Sequence, residues 1–235
     1  MSEASFEYIG NELELFAAAK NWKLYVASLI KPFIKGDVLE AGAGIGTNTN
    51  LFFTPAVQHW TLLEPDKNFC IEIEKRISDK ILPGGCTVFN GYTNELNAQF
   101  DTIIYIDVLE HIEDDKKEIE TAAALLRSGG HLIALSPAYD FLMSPFDKAI
   151  GHFRRYNKKE LLSKAGDHLT NEKIFYADSM GLATSLANKY LLKQQYPTKK
   201  QISFWDSFII PVSKITDKLI LHSAGRSVIG IWSKK

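Results

Sequence analysis

Three acidic residues stand where chemistry could be done, each near the end of an apolar run. The first, Glu40, opens Glu40-Ala41-Gly42-Ala43-Gly44-Ile45-Gly46-Thr47, in which an apolar run breaks into alternating glycines. Glycines permit a tight turn and let a ligand approach the backbone without Cβ collision. A helix starting near Ile45 would aim its first N–H groups at a carboxylate or phosphate. The second, Glu64, follows Gly44 by 20 residues and is followed by Pro65. A strand-end carboxylate at that distance can accept hydrogen bonds from both hydroxyls of a ribose. The third, Asp107, closes Phe100–Asp107 and leads into Val108-Leu109-Glu110-His111. A dinucleotide loop, G-x-G-x-x-G, would need glycine at position 47, where Thr47 stands. The spacing written here is E-x-G-x-G-x-G.

A second set lies further on, in Ser136-Pro137-Ala138-Tyr139, Asp147 and Gly151-His152-Phe153-Arg154-Arg155-Tyr156. Imidazole titrates near neutral pH, which makes His152 the first candidate for a general base toward a hydroxyl and His111 the second. A histidine placed like His111 also commonly packs on a loop or bonds backbone. Arg154 and Arg155 can grip a carboxylate or phosphate, or pair instead with Asp140 and Asp147. Tyr139 and Tyr156 complete the candidate substrate contacts.

The elements that must hold these groups alternate. Apolar positions from Leu15 to Leu29 predict a helix over 11–31. Short strands are expected at Asp37–Glu40, His59–Glu64, Cys86–Phe89, Phe100–Asp107 and His131–Ser136. Helices intervene, one through Phe69, Ile73 and Ile77 and one over about Glu113–Arg127, with Gly129-Gly130 behind it. The nearly continuous FDTIIYID run suits a central parallel strand covered on both faces. Two further strands are expected at Glu172–Ala177 and Ser227–Trp232. The expected fold is α/β: a Rossmann-like, doubly wound, mostly parallel seven-stranded sheet with a helical cap inserted between the last two strands. One domain over 1–235 would divide into a helical segment (1–35), a cofactor-binding core (36–136), a substrate loop, helix and strand (137–177), the cap (178–225) and the last strand (226–235). Within the cap, Trp205, Phe208, Val212, Ile215 and Leu219 fall at helical spacing, and Pro211 should kink or divide the helix.

With these residues on strand ends, the chain resembles the class I S-adenosylmethionine-dependent methyltransferases, whose first motif has an acidic residue and three alternating glycines. The resemblance implies a methyl transfer that leaves S-adenosylhomocysteine. By it, Gly42, Gly44 and Gly46, with Ala41 and Thr47, admit the methionine part, while Glu40 orients its amino group. Glu64 and Pro65 hold the ribose. Asn90-Gly91-Tyr92-Thr93 corresponds to the adenine-edge segment, and Asp107, Val108 and Leu109 to the fourth motif. The Gly151–Tyr156 segment resembles a subgroup acting on small molecules and sugar-containing or lipid-like products. An oxygen acceptor, hydroxyl or carboxyl, is expected; a nitrogen or carbon acceptor is the alternative.

Composition narrows the field. Lys plus Arg number 27 against 28 Asp plus Glu, a net charge of −1 that supplies no basic excess for a nucleic-acid partner. Cys70 and Cys86 lack metal-ligand or C-x-x-C spacing, which suits a reducing compartment. The N-terminal residues carry acids where a secretory signal carries bases, and no run is long enough for a membrane span. The expected setting is cytoplasmic. The basic, aromatic-rich 178–225 segment reads first as a lid packed on the domain, and second as a peripheral membrane contact. Two other classes compete: an NAD-dependent oxidoreductase, disfavoured by Thr47, and a binding protein retaining the fold with a dead site. A metal-assisted transfer would draw on Asp107, Asp114 and Asp115. No convincing ligand cluster converges in the sequence, so no metal is expected.

Overall fold

The computed structural model describes residues 18–192 and 196–235. Residues 11–17 of the expected first helix therefore lie outside the described residues. Seven strands, β1 Gly36–Ala41, β2 Val57–Glu64, β3 Cys86–Asn90, β4 Phe100–Ile106, β5 Leu126–Pro137, β6 Leu169–Ala177 and β7 Ser227–Lys234, form one sheet. Their order is 3-2-1-4-5-7-6, with β7 antiparallel to both of its neighbours. Strand order reverses at β1, whose neighbours are β2 and β4. Crevices that take ligands open beyond the carboxyl ends of strands at such a switch point.

Alternation of side chains puts Ile104 and Ile103 of β4 on opposite faces, and each face has its own core. On one, Val38, Ile104 and Ile133 pack with Tyr25 and Ile30 of α1 (Lys20–Ile30) and Ile73 of α3 (Lys67–Ser78). On the other, Leu39, Ile103 and Leu132 meet Ile119 of α4 (Asp115–Leu125) and Leu161 of α6 (Lys158–Lys164). Two short helices remain in this part of the chain: α2, Thr49–Phe52, and α5, Pro145–Ala149.

Two local expectations fail for backbone reasons. No helix starts near Ile45. Gly42, Gly44 and Gly46 take φ of +62°, +57° and +70°, values foreign to a right-handed helix, so the chain turns until α2. Nor do Gly129-Gly130 end the chain's excursion before a strand at His131. They lie inside β5, which starts at Leu126 directly after α4, and its register against β4 shifts between Phe100 and Thr102.

The insertion is helical, as expected: α7 (Ser179–Ala187) runs into a π-turn (Asn188–Leu192), and α8 (Lys199–Phe204) continues through a second π-turn (Trp205–Ile209) into α9 (Ile210–Leu219). The second π-turn ends two residues before Pro211, which has no N–H to give to a regular ladder. The apolar positions at helical spacing do not share one inward face. Trp205 is buried, but Phe208, Ile215 and Leu219 are 63%, 63% and 76% exposed. The inward face instead carries Asp206, Ser213 and Asp217 beside Ile202 and Ile210. These polar groups tie the insertion down. Asp206 accepts the N–H groups of Asn21 (3.1 Å) and Trp22 (2.8 Å), capping α1 from 185 residues away. Asp217 accepts from Tyr25 Oη (2.7 Å) and from the backbone N–H groups of Asp178 and Ser179. Asp178 in turn accepts from Trp205 Nε1 and Ser213 Oγ. Among the described residues no helix is long and apolar enough to cross a membrane.

Candidate active site

At the carboxyl ends of β1, β2 and β4 a cavity of about 680 Å³ opens, within the range of roughly 300–1,000 Å³ typical of small-molecule sites. The sequence-derived residues that line it are Ala41, Gly42, Gly44, Thr47, Glu64 and Pro65 on one side. Gly91, Tyr92, Thr93, Asp107 and Val108 continue the wall, and His111, His152 and Arg155 close the far end.

The glycine loop is held from two directions. Gly42 must be glycine: besides its positive φ, a Cβ there would stand 2.7 Å from a Val108 methyl. The Gly44 N–H donates to Glu64 Oε2 (2.8 Å), and the Asp66 N–H donates to Oε1 (3.0 Å). A carboxylate offers about four lone-pair sites, so about two remain for hydroxyls in the cavity. Lys23 of α1 donates to Thr47 Oγ1 (2.8 Å), drawing α1 across the loop. Burial pushes the Lys23 ammonium down to about 8. Burial likewise raises the Glu64 carboxyl to about 7, against the two N–H groups that favour its anion.

Several expected contacts lie elsewhere. Glu40 sits beneath the loop, not on the cavity wall. Its Oε2 accepts from Thr49 Oγ1 (2.7 Å) and Trp60 Nε1 (2.9 Å), and burial raises it to about 7. It braces the loop and is not placed to orient a ligand's amino group directly. Gly46 and Leu109 also stay behind the wall, Leu109 wholly buried in the core. Asn90 spends its amide on the carbonyls of Glu64 and Pro65 (3.0 Å each), fixing the turn behind Glu64.

The GHFRRY segment divides. Asp147, in α5, accepts from His152 Nδ1 (3.0 Å), from Arg155 Nη2 (2.7 Å) and from the Ser144 hydroxyl that caps α5 (2.5 Å). Burial opposes its charge, yet the His152 bond and the Arg155 guanidinium hold it well below the usual carboxylate range. With Nδ1 so engaged, His152 turns Nε2 inward, 4.0 Å from Glu110 Oε1. Arg154 faces away: it pairs with Asp115 (2.7 Å) and donates to the Glu113 carbonyl. Tyr156 is buried and donates to the same Asp115 (2.7 Å), and Lys164 completes that cluster. Tyr139 stacks on Tyr176. Arg154, Tyr156 and Tyr139 therefore hold the loop and do not line the cavity, whereas Arg155 lines it while committed to Asp147. The acids considered for a metal do not converge either, since Asp115 is consumed by these pairs and Asp114 caps α4 through the Lys117 N–H.

His111 stands edge-on to His152, ring centroids 4.5 Å apart. Burial and then the neighbouring imidazole lower it to about 4, so it is neutral at pH 7. Asp107 is open to the cavity but deep among protein atoms, which raises it to about 6 against the attraction of His152. Its φ of +55° is a left-handed value that aspartate tolerates, and its N–H bonds the Leu135 carbonyl. Lys23, Glu110 and Arg226 line the cavity without having been singled out from the sequence, and Phe146 and Trp205 line it from the substrate loop and the insertion without having been named as contacts. Glu110 carried a signal, one residue before His111, as did Phe146, beside Asp147; Lys23 and Arg226 arrive from elements distant in sequence.

A family model described as a methyltransferase domain matches residues 14–188, well over half of the chain. No curated protein sequence matches it. Among solved structures the fold is similar to a geranyl diphosphate methyltransferase in complex with SAM (TM-score 0.66, 10% identity, 97% of this chain and 91% of that one). It is also similar to a [4+2]-cyclase (0.62, 13%, 96% and 94%). A third is the magnesium protoporphyrin IX methyltransferase of Synechocystis PCC 6803 with bound SAH (0.61, 13%, 98% and 90%). At these identities the likeness is one of fold, and a cyclase among them shows that the fold alone does not name a reaction.

Proposed function

The chain belongs to the methyltransferase-domain family, and on that premise we propose that it uses S-adenosylmethionine to methylate an oxygen of a small molecule. The observation that carries this reading is the joining, in one cavity, of the Gly42–Thr47 loop and Glu64 to the Asp147-anchored His152. The residues present fit the cofactor: the loop has no Cβ at its closest turns, and Glu64 keeps lone pairs toward the cavity. When bound, the cofactor supplies an electrophilic methyl group on a sulfonium sulfur.

The protein's own part is positioning and proton handling. Glu64 accepts hydroxyl groups while its other lone pairs keep the loop in place. Trp22, Phe146, Ile150 and Trp205 wall the cavity and thin out water, which strengthens each polar contact inside. His152 Nε2 takes the proton of an acceptor hydroxyl, and Asp147 at Nδ1 stabilises the resulting imidazolium. Arg155 and Ser144 keep Asp147 ionised and still. The acceptor class is a hydroxyl or carboxyl of a secondary metabolite or of a sugar-containing or lipid-like intermediate.

Calorimetry with S-adenosylhomocysteine and with NAD tests the reading. Binding of the first and none of the second is expected; the reverse would return the chain to the oxidoreductases, and binding of neither would make it a fold without this site. One observation favours peripheral membrane contact for the insertion. Phe204 and Phe208 stand exposed in a shallow depression with Lys199 and Lys200, an apolar face rimmed by cations that complements an anionic bilayer surface. Co-sedimentation with phosphatidylserine vesicles, lost in Phe204→Ser/Phe208→Ser, would support it; no sedimentation leaves the insertion as a lid.

A further inference from the structure

The inner wall of the cavity holds three groups that a lone general base does not explain. Glu110 is fully buried, and neither of its carboxylate oxygens makes a well-formed hydrogen bond, its own N–H and the Ser136 hydroxyl being the donors nearby. Native proteins seldom leave a buried carboxyl so bare, because it forfeits its hydration without replacement. One ligand atom each from Glu110, His111 and His152 lies within 4.8 Å of the other two, and His152 Nε2 is 4.0 Å from Glu110 Oε1. The imidazoles are already dressed as metal ligands are. His152 is held at Nδ1 by Asp147, itself fixed by Arg155 and Ser144, and His111 hydrogen-bonds the Ile150 backbone. A carboxylate or carbonyl behind each imidazole sets its tautomer and leaves the other nitrogen to coordinate.

We propose that Glu110, His111 and His152 bind a divalent transition-metal ion of the zinc or manganese class, with its remaining coordination positions open to the cavity. Ligands at about 2.0–2.2 Å from such an ion stand about 3–3.5 Å apart, so the three side chains need to close by roughly 1 Å. Two imidazoles and one carboxylate suit zinc or manganese; magnesium prefers an all-oxygen shell and dehydrates reluctantly. Three protein ligands leave room for a substrate, as in catalytic rather than structural sites.

The consequence for chemistry rests on the methyltransferase reading above. An acceptor hydroxyl that coordinates the ion becomes more acidic and releases its proton to water. The oxygen's electron pair then forms the new O–CH3 bond as the C–S bond breaks, its electrons staying on sulfur. In that case His152 holds the ion rather than taking the proton.

The test uses the whole protein stripped by chelator and dialysed. Titration with Zn2+ and Mn2+, followed by calorimetry and by the electron paramagnetic resonance of Mn2+, should show about one tight site per chain, as three-ligand sites do. Co2+ should give the visible bands of a low-symmetry site. Glu110→Gln and His111→Ala should each weaken binding by at least about 10–100-fold, comparable to or beyond the loss of an outer-shell partner. His59→Ala, which removes an exposed imidazole beside Asp37, should change nothing. Absence of a stoichiometric site in the unmodified protein overturns the proposal, as does unchanged binding in folded Glu110→Gln; the Mn2+ and Co2+ spectra of the unmodified protein decide the matter if the variants fail to fold. S-adenosylhomocysteine binding is measured in parallel. Cofactor binding without metal defeats this inference alone, and metal binding without cofactor defeats the methyltransferase reading alone.

Discussion

Replacing Glu64 with glutamine separates the two tasks that the structure gives this side chain. Its oxygens accept the N–H groups of Gly44 (2.8 Å) and Asp66 (3.0 Å) and keep lone pairs for a ribose. Glutamine retains one acceptor and turns an NH2 toward the other N–H, leaving that donor unpaired. A hydrogen bond to a charged group contributes about 1.5–3 kcal/mol, so losing one toward the ligand, net of replacement by water, should weaken S-adenosylhomocysteine binding by at least about tenfold. The same substitution tests the buried charge. Burial raises Glu64 from its usual 4.5 to about 7, so the folded state holds the proton more firmly than the unfolded one. Its contribution to stability is therefore full below about pH 4.5 and is lost as pH rises through about 7. Glutamine cannot titrate. The stability of the parent relative to Glu64→Gln should fall across that interval, measured by urea denaturation of the ligand-free proteins at a series of pH values. Glu40, raised to about 7 by burial as well, should leave a slope of the same sign in the variant. An unchanged dissociation constant would refute the ribose assignment, and a pH-independent stability difference would refute the burial argument.

Four other perturbations probe separate parts. Gly42→Ala places a methyl 2.7 Å from Val108 at a φ of +62°; a left-handed residue costs about 1–2 kcal/mol before any clash, so the melting temperature should drop and the ligand-induced rise vanish. His152→Ala should cut turnover by about 10²–10⁴-fold with cofactor affinity nearly unchanged; as a base, its loss is partly rescued at high pH, seen in a kcat profile. Arg154→Ala should leave the KM for acceptor unaltered while lowering stability by about 1–3 kcal/mol, since Asp115 loses a charged partner and keeps Lys164 and Tyr156. Asp206→Ala uncaps α1 at Asn21 and Trp22 and should cost about 1 kcal/mol, read as a lower denaturation midpoint.

The core of this fold was legible because its signals are local. The short apolar runs Asp37–Glu40 and His59–Glu64 fall within observed strands, and Phe100–Asp107 overruns its strand by the one residue Asp107. The 49-residue stretch between the last two strands announced an insertion by its length and helical spacing. The glycines foretold a tight turn after the strand, though not that their positive φ values would postpone the helix to Thr49.

What needed tertiary structure was the direction in which each polar side chain points. Nothing in the order of residues says that Glu40 faces Trp60, that Arg154 and Tyr156 both turn to Asp115, or that Asp206 caps a helix 185 positions earlier. The insertion shows the reason. Its apolar positions recur at helical spacing, yet Phe208, Ile215 and Leu219 face outward, because the inward face meets N–H and O–H donors and fills with Asp206, Ser213 and Asp217. The meeting of Glu110 and His111 with His152 is of the same kind. Periodicity along the chain determines which elements form, whereas charge and hydrogen-bond satisfaction are settled only among groups that folding brings within a few ångströms, so the partners of this site were decided by packing.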